Sequence, residues 1–215
     1  MRPLILVMVS LACIFASTFI IGRATGILTT DIVRLWLEQV HETDAIYVMA
    51  AVIALLFADL LVAVPTLTIT LLSGYFLGFG LGASTAMIGV SAAAFTGYAL
   101  CRRWGERGIA MIVRDESGRR DLEVNFHASG PVLILLSRAA PILPEVTACM
   151  AGATKMPLLR YAIFFALGTL PYVLIAAYAG SISSLDDPRP AIYAAILLYA
   201  TMWTGWFLVR RRSRA

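Results

Sequence analysis

Three ionisable side chains, Asp59, Arg138 and Glu145, stand inside long runs of otherwise apolar residues. A charged group carried into hydrocarbon costs at least about 2.5–3.5 kcal/mol on insertion scales, so each needs a partner or a water-filled chamber. Arginine offers a planar fork of donors that stays charged and matches a phosphate, while a carboxylate can take up and release a proton. Together these types can recognise an anionic group and couple it to a proton. A ladder of hydroxyls, Thr66, Thr68 and Thr70, follows Pro65. It can line the same chamber, or it can bond back to carbonyls freed by a broken helix. Pro141 and Pro144 free further carbonyls, and a half-helix starting near Glu145 would present amide donors to an anion, although Glu145 could equally serve only as its cap. The structural alternative for Arg138 is an ion pair with Asp59 or Glu145 that fixes helix register. The candidate substrate-binding residues are therefore Arg138, Glu145, Asp59, Thr68 and Thr70.

Signatures of catalysis are sparse. The two histidines, His41 and His127, are 86 residues apart, and neither has a metal-ligand companion three or four positions away. Ser73 beside Gly74 has no histidine in an apolar stretch to pair with, and no Gly-rich loop is followed by Lys and Ser or Thr. The expectation is a protein with no catalytic residues, no metal and no cofactor. Cys13, Cys101 and Cys149 lie in or beside apolar segments without CxxC spacing, which reads as buried thiols.

The elements that must position these residues follow from composition. Of 215 residues 60% are hydrophobic and 14% charged, against about 25% charged in an ordinary soluble domain. With a mean hydropathy of +0.84, the chain is neither a soluble domain nor a disordered one; its solvent is lipid. Crossing the hydrocarbon core takes about 20 apolar residues, so residues 3–22, 45–64, 83–101, 158–179 and 191–209 read as about five spans. Residues 23–44 mix Ile27, Leu28, Ile32, Leu35 and Trp36 with charged residues, the pattern of a helix lying at the interface. Two apolar segments are too rich in breakers for simple spans. One runs over about 65–82, with Pro65, Gly74 and Gly78; the other over about 131–152, with Pro141, Pro144 and Gly152. Each reads as re-entrant, and each precedes a long helix, the order expected of an inverted-repeat transporter. The Gly74 and Gly78 pair marks close packing. Three parts result: 1–44 with a span and the interfacial helix, a core over 45–182, and 183–215 with the last span and a basic tail.

Charge tests this arrangement. The net charge is +4, and 16 of the 17 basic residues are arginines clustered between apolar stretches, not along one face as nucleic-acid binding requires. If 131–152 is re-entrant and the C-terminus is cytoplasmic, 14 of the 17 share the cytoplasmic face, including the arginines of the polar segment 102–130 and those of the tail. The same test does not discriminate for 65–82, where re-entrance rests on the pseudo-symmetry. The expected location is the cell (inner) membrane, and the partners are membrane lipids, with no nucleic acid and a possible homo-oligomer.

The stretches PTLTITLLSGYFLGFGLGASTAMIGVSAAAFTGYALCRRWGERG and LLSRAAPILPEVTACMAGATKMPLLRYAIFFALGTLPYV resemble the DedA, or VTT-domain (SNARE-associated Golgi protein), family. The most specific parts are the G-x-x-x-G region with the later Gly97 and Tyr98, and R-x-x-P ending in A-G, here Arg138, Pro141, Ala151 and Gly152. The resemblance implies two opposed re-entrant hairpins and kinship with lipid scramblases. It also implies relatives implicated in returning undecaprenyl phosphate across the inner membrane with dependence on the proton motive force. The family arginine corresponds to Arg138. Envelope-maintenance members carry an acidic residue after the first P-G and a second arginine after the motif proline; Leu67 and Pro144 stand there in this chain, which sets it nearer the VTT-domain branch. The reading is a flippase- or scramblase-like transporter moving a lipid or lipid phosphate between leaflets. The alternatives are an ion- or proton-coupled carrier of a small solute and a non-transporting scaffold.

Overall fold

The computed structural model describes residues 2–24, 44–60, 64–113, 115–140, 142–183 and 189–212, and they form α-helices and one 3-10 turn. The helices are α1 (Arg2–Ala24), α2 (Ala45–Ala58), α3 (Thr66–Ile112), α4 (Glu116–Leu135), α5 (Leu143–Ala153), α6 (Leu158–Ser181) and α7 (Arg189–Arg212), with the 3-10 turn at Ser137–Ala139. Residues 25–43, which hold His41 and most of the expected interfacial helix, lie outside the described residues, as does Pro141. Two stretches, Thr66–Gly105 and Leu158–Ser181, are long and apolar enough to cross a membrane by length and composition, while Ala45–Ala58 is a shorter apolar helix.

α3 is two arms joined at Gly78, whose φ of 74° and ψ of 173° lie outside the helical region. In a straight helix residues nine apart are about 13.5 Å apart. Here a Cβ on Gly82 would come within 2.6 Å of the Ser73 carbonyl oxygen, and the Ser73 hydroxyl donates to the Gly82 carbonyl at 2.8 Å. The chain has doubled back into a tight helical hairpin. Its first arm then meets α6 backbone to backbone: a Cβ on Gly74 would reach 2.0 Å from the Ala177 carbonyl oxygen, and one on Gly180 would reach 1.9 Å from that of Leu71. In a medium where apolar side chains gain little by leaving lipid, such small-residue contacts are how helices hold together.

The second break lies later than the sequence suggests. The expectation placed a polar loop over 102–130 and the start of the broken segment at Pro131; instead α3 continues to Ile112 and α4 runs from Glu116 through Pro131 to Leu135. Asp115 explains the early start, for its carboxylate accepts from the Gly118 N–H at 3.1 Å and from the Ser117 hydroxyl. Those bonds, the Ser117 one foremost, hold the Asp115 carboxyl below the usual carboxylate range. Pro131 removes one helix donor, yet Phe126, Gly130, Pro131 and Ile134 are all buried and the packing carries the helix past it. The chain breaks only at Leu136–Ile142, through the 3-10 turn and a left-handed Ile142 with φ 74°.

α5 is a half-helix that packs on the second arm of α3, where a Cβ on Gly152 would sit 2.1 Å from the Tyr98 carbonyl oxygen. It ends in a Schellman closure, with the Lys155 N–H donating to the Gly152 carbonyl and the Met156 N–H to that of Ala151, both at 3.0 Å. Lys155 takes the left-handed position at φ 55°, which glycine or asparagine usually fills and which costs a lysine about 1–2 kcal/mol. The same packing brings Cys101 and Cys149 together as a disulfide, with their Cα atoms 5.0 Å apart. This corrects the reading of buried thiols: 48 residues of separation hid a proximity that the α3–α5 contact creates. Cys13 remains a free thiol, and it is exposed, not buried.

Candidate functional site

The corner between α2 and α3 meets the second break. α2 ends at Ala58, and the Asp59 carboxylate turns toward the start of α3, accepting from the Val64 N–H through Oδ1 and from the Thr66 hydroxyl through Oδ2, each at 2.8 Å. Opposite it, the 3-10 turn in the second break carries Arg138, and the first turn of α5 carries Glu145. Asp59 and Arg138 are only 7% and 8% exposed, so water does not screen them, and all three charges lie within electrostatic reach of one another.

Arg138 rests on neutral partners. Its Nε donates to the Thr169 hydroxyl at 3.4 Å, and its guanidinium lies over the Tyr172 ring, 5.6 Å from the centroid. Both partners belong to α6, and the 3-10 turn also packs on α7, which brings Tyr199 to the site. The Glu145 Oε2 atom is buried and accepts no hydrogen bond among the described residues. A buried acceptor left open is costly, and the neighbouring Asp59 carboxyl, close enough to share a proton with Glu145, is the protein's own group that can close it.

Two hollows flank the cluster. A cavity of about 270 Å³ is lined by Asp59, Thr66, Thr68, Arg138 and Glu145, with Pro65 and Pro144 at the two helix starts and Tyr172 and Tyr199 on the far wall. A narrow crevice of about 20 Å³ lies beyond, walled by Leu56, Leu60, Val90, Ala93, Ala94 and Ala148. Asp59, Arg138, Pro144 and Glu145 border both, so the charges stand between the wider cavity, whose wall also holds Thr66, Thr68, Leu67 and Ile142, and the narrow crevice walled by aliphatic residues.

A VTT domain matches residues 64–182, more than half of the chain. The chain belongs to the VTT-domain family. Its fold is accordingly that of an all-helical membrane protein, and the whole described site except Asp59 and Tyr199 falls inside the VTT domain. No curated protein and no solved structure matches the chain.

Of the residues expected to bind substrate, the VTT domain assembles Arg138, Glu145 and Thr68 around the cavity, and Asp59 joins them from α2. Thr70 does not line it: the side chain is fully buried and its hydroxyl donates back to the Thr66 carbonyl at 2.8 Å. Of the motif residues, Pro65 and Pro144 open the helices at the cavity, Gly78 turns the first hairpin, and Gly74 and Gly152 are contact points between helices. Sequence reasoning missed Thr169, Tyr172 and Tyr199. Tyr172 beside Pro171 in α6 carried a faint signal, a kink residue next to a hydrogen-bonding ring, whereas nothing about Tyr199 in α7 distinguishes it from an ordinary membrane tyrosine. His127, expected in a polar loop, lies on α4 with its Nε2 2.9 Å from the Thr154 carbonyl oxygen.

Proposed function

We propose that this VTT-domain protein moves a lipid or lipid phosphate between leaflets, with Arg138 holding the head group. The observation that carries the reading is a buried guanidinium resting on neutral partners at the wall of a cavity of about 270 Å³ that it shares with two carboxylates and two threonines. A phosphate on Arg138 would gain bidentate charge-assisted bonds, while an acyl or prenyl chain would need the crevice, about 20 Å³ as it stands, to widen. A phospholipid and a polyprenyl phosphate both present this chemistry.

Formal charge gives the coupling. Asp59, Glu145 and Arg138 together carry one net negative charge, and an arriving phosphate adds to it. Proton uptake by the carboxylates offsets that addition in a medium where net charge is expensive. Glu145, with its open oxygen, is the receiving group in this reading, and Asp59 is the partner that also ties α2 to α3. The hairpins are read as re-entrant from opposite faces, about five helices as spans, and the C-terminus as cytoplasmic in the inner membrane.

The test is head-group accessibility of fluorescent phospholipids in liposomes holding the purified protein, using a bleaching reagent that cannot cross the bilayer. Inner-leaflet label should bleach with wild type and stay protected with Arg138→Ala and Asp59→Asn. Bleaching that persists in a folded Arg138→Ala protein overturns the role of Arg138. Protection in every sample, together with measurable binding of a soluble ligand, favours the solute carrier.

A further inference from the structure

The seam between α3 and α5 is made of small residues. Gly97, Cys101 and Gly105 recur every four positions, on one face of α3. A Cβ on Gly105 would stand 2.7 Å from that of Ala153, and one on Gly97 would stand 3.9 Å from that of Ala148. The bridge from Cys101 to Cys149 closes the seam between these two contacts. Past one end, the Met156 carbonyl accepts from the Tyr98 hydroxyl at 2.5 Å and from Arg102 Nη1 at 3.1 Å. Past the other lies the narrow crevice, between Val90, Ala93 and Ala94 of α3 and Pro144, Glu145 and Ala148 of α5. We infer that Cys101 and Cys149 form a reversible redox site, opened by a water-soluble dithiol, and that opening it frees α5 to widen the crevice.

Mechanics come first. Hydrogen bonds hold the chain just beyond α5 at Met156, and the sulfur bridge holds its middle. Glu145 and Cys149 are four residues apart and so share a face of α5; the half that carries Glu145 extends past the bridge along the crevice. While the bridge stands, α5 cannot swing away from α3 about its Met156 end. Once it is cut, what joins the two helices along this seam is contact between small side chains, which can separate without breaking a polar bond. The consequence for transport rests on the reading above, in which an acyl or prenyl chain needs the crevice to widen.

Position supplies the second argument. Cys101 is followed by Arg102, Arg103 and Trp104, with the Arg103 guanidinium 5.6 Å from the centre of the Trp104 ring and Trp104 53% exposed. Arginine and tryptophan at the end of an apolar run mark the level of the head groups, and in the topology read above this level is the cytoplasmic one. Disulfides on that side are opened by the thiol pool, and those that form are transient and redox-sensing. Cys101 is half-buried and Cys149 is buried, so an incoming thiolate, drawn by the neighbouring arginines, meets the Cys101 Sγ first. It forms a mixed disulfide there and expels Cys149 as a thiolate, which takes a proton. The second thiol of the reagent then attacks the reagent's own sulfur, closes its disulfide and releases Cys101. Two electrons and two protons pass from the dithiol to the protein, and an oxidised dithiol reverses the exchange.

The test compares the full-length protein in liposomes after oxidation with diamide and after reduction with dithiothreitol, by hydrogen exchange of residues 143–153 and by bleaching of inner-leaflet head groups. A half-helix freed at its middle opens more often, so reduction should speed exchange over 143–149 several-fold, leave 158–181 unchanged and speed bleaching several-fold. Cys101→Ser and Cys149→Ser should show the reduced values with or without dithiothreitol, whereas Cys13→Ser should keep the wild-type difference. Should neither serine variant fold, the two states of wild type still decide. Failure of diamide to join the 101 and 149 peptides overturns the site, as does exchange that is the same in both states. Bleaching at one rate in both states, with exchange responding, overturns the control of transport. Exchange that responds while no sample bleaches supports the redox site and counts against the lipid reading alone.

Discussion

Both oxygens of the Asp59 carboxylate are occupied by the chain itself, so this side chain holds the α2–α3 corner closed as well as facing the cavity. Thr66→Val removes one donor to a charged acceptor and is expected to cost about 1.5–3 kcal/mol, read as a lowered unfolding temperature. Thr70→Val, which loses only a bond back to the Thr66 carbonyl, should cost about 1 kcal/mol or less. The sequence made the charges legible because a charge in apolar surroundings stands out, but it did not separate the threonines. Helical geometry does: residues 66 and 70 lie on one face, so Thr70 caps its neighbour while Thr66 reaches Asp59 and Thr68 faces the cavity. Outside the membrane, Asp115 gives a pH signature. Its folded pKa is depressed, chiefly by the Ser117 hydroxyl, so its stabilisation is present above the ordinary aspartate range near 3.9 and is lost as pH falls through its folded pKa. Asp115→Ala should therefore melt below wild type at pH 7 and converge with it in acid.

Among elements, the glycines sort by what surrounds them. A methyl at Gly74 meets the α6 backbone, which cannot step aside without moving a helix, so Gly74→Ala should destabilise by about 1–3 kcal/mol. Gly78 has open space but a backbone region reserved for glycine, and Gly78→Ala should cost a similar amount through strain alone. Gly80→Ala, with neither constraint, should be neutral or slightly stabilising in the same unfolding series. From the sequence, crowding of glycine and proline pointed to a break over 65–82, and the bend falls inside it, at Gly78. The second break falls inside its expected segment, 131–152, but begins at Leu136 and not at Pro131, because the burial around Pro131 carries the helix through it and a polar stretch starting at a good cap folds as helix. The disulfide between α3 and α5 closes 48 residues, which in the chain-entropy picture is worth up to about 4 kcal/mol. A thiol reductant should lower the wild-type unfolding temperature to that of Cys101→Ser and leave Cys101→Ser itself unmoved.

For the whole molecule, the α2–α3 corner and the second break face each other and gather Asp59, Arg138 and Glu145 around one cavity, with α6 backing both hairpins: Gly180 and Ala177 take the first, and Gly168 takes the end of α4 against Leu135. The order of broken segment then helix, met twice, was legible in the sequence. The backing helix was not, since its contacts are made by backbone and leave only glycines as a trace. If the second hairpin is re-entrant, single cysteines placed by Ser117→Cys and Lys155→Cys, in a background freed of the native thiols, should react with an impermeant label from the same side of sealed vesicles. Reaction from opposite sides would make that hairpin a full crossing.

The contact between Gly74 and Ala177 also sets a clock. The first hairpin emerges from the ribosome roughly 100 residues before the surface that accepts it, which at about 5–20 residues per second is about 5–20 s of waiting. Until residue 138 follows, Asp59 is without Arg138, and throughout the interval the face of Gly74 that meets Ala177 is uncovered. Cells must either shelter this half-built intermediate with insertion machinery or risk its removal by membrane proteases, so synthesis speed across residues 83–177 is itself a determinant of how much protein survives.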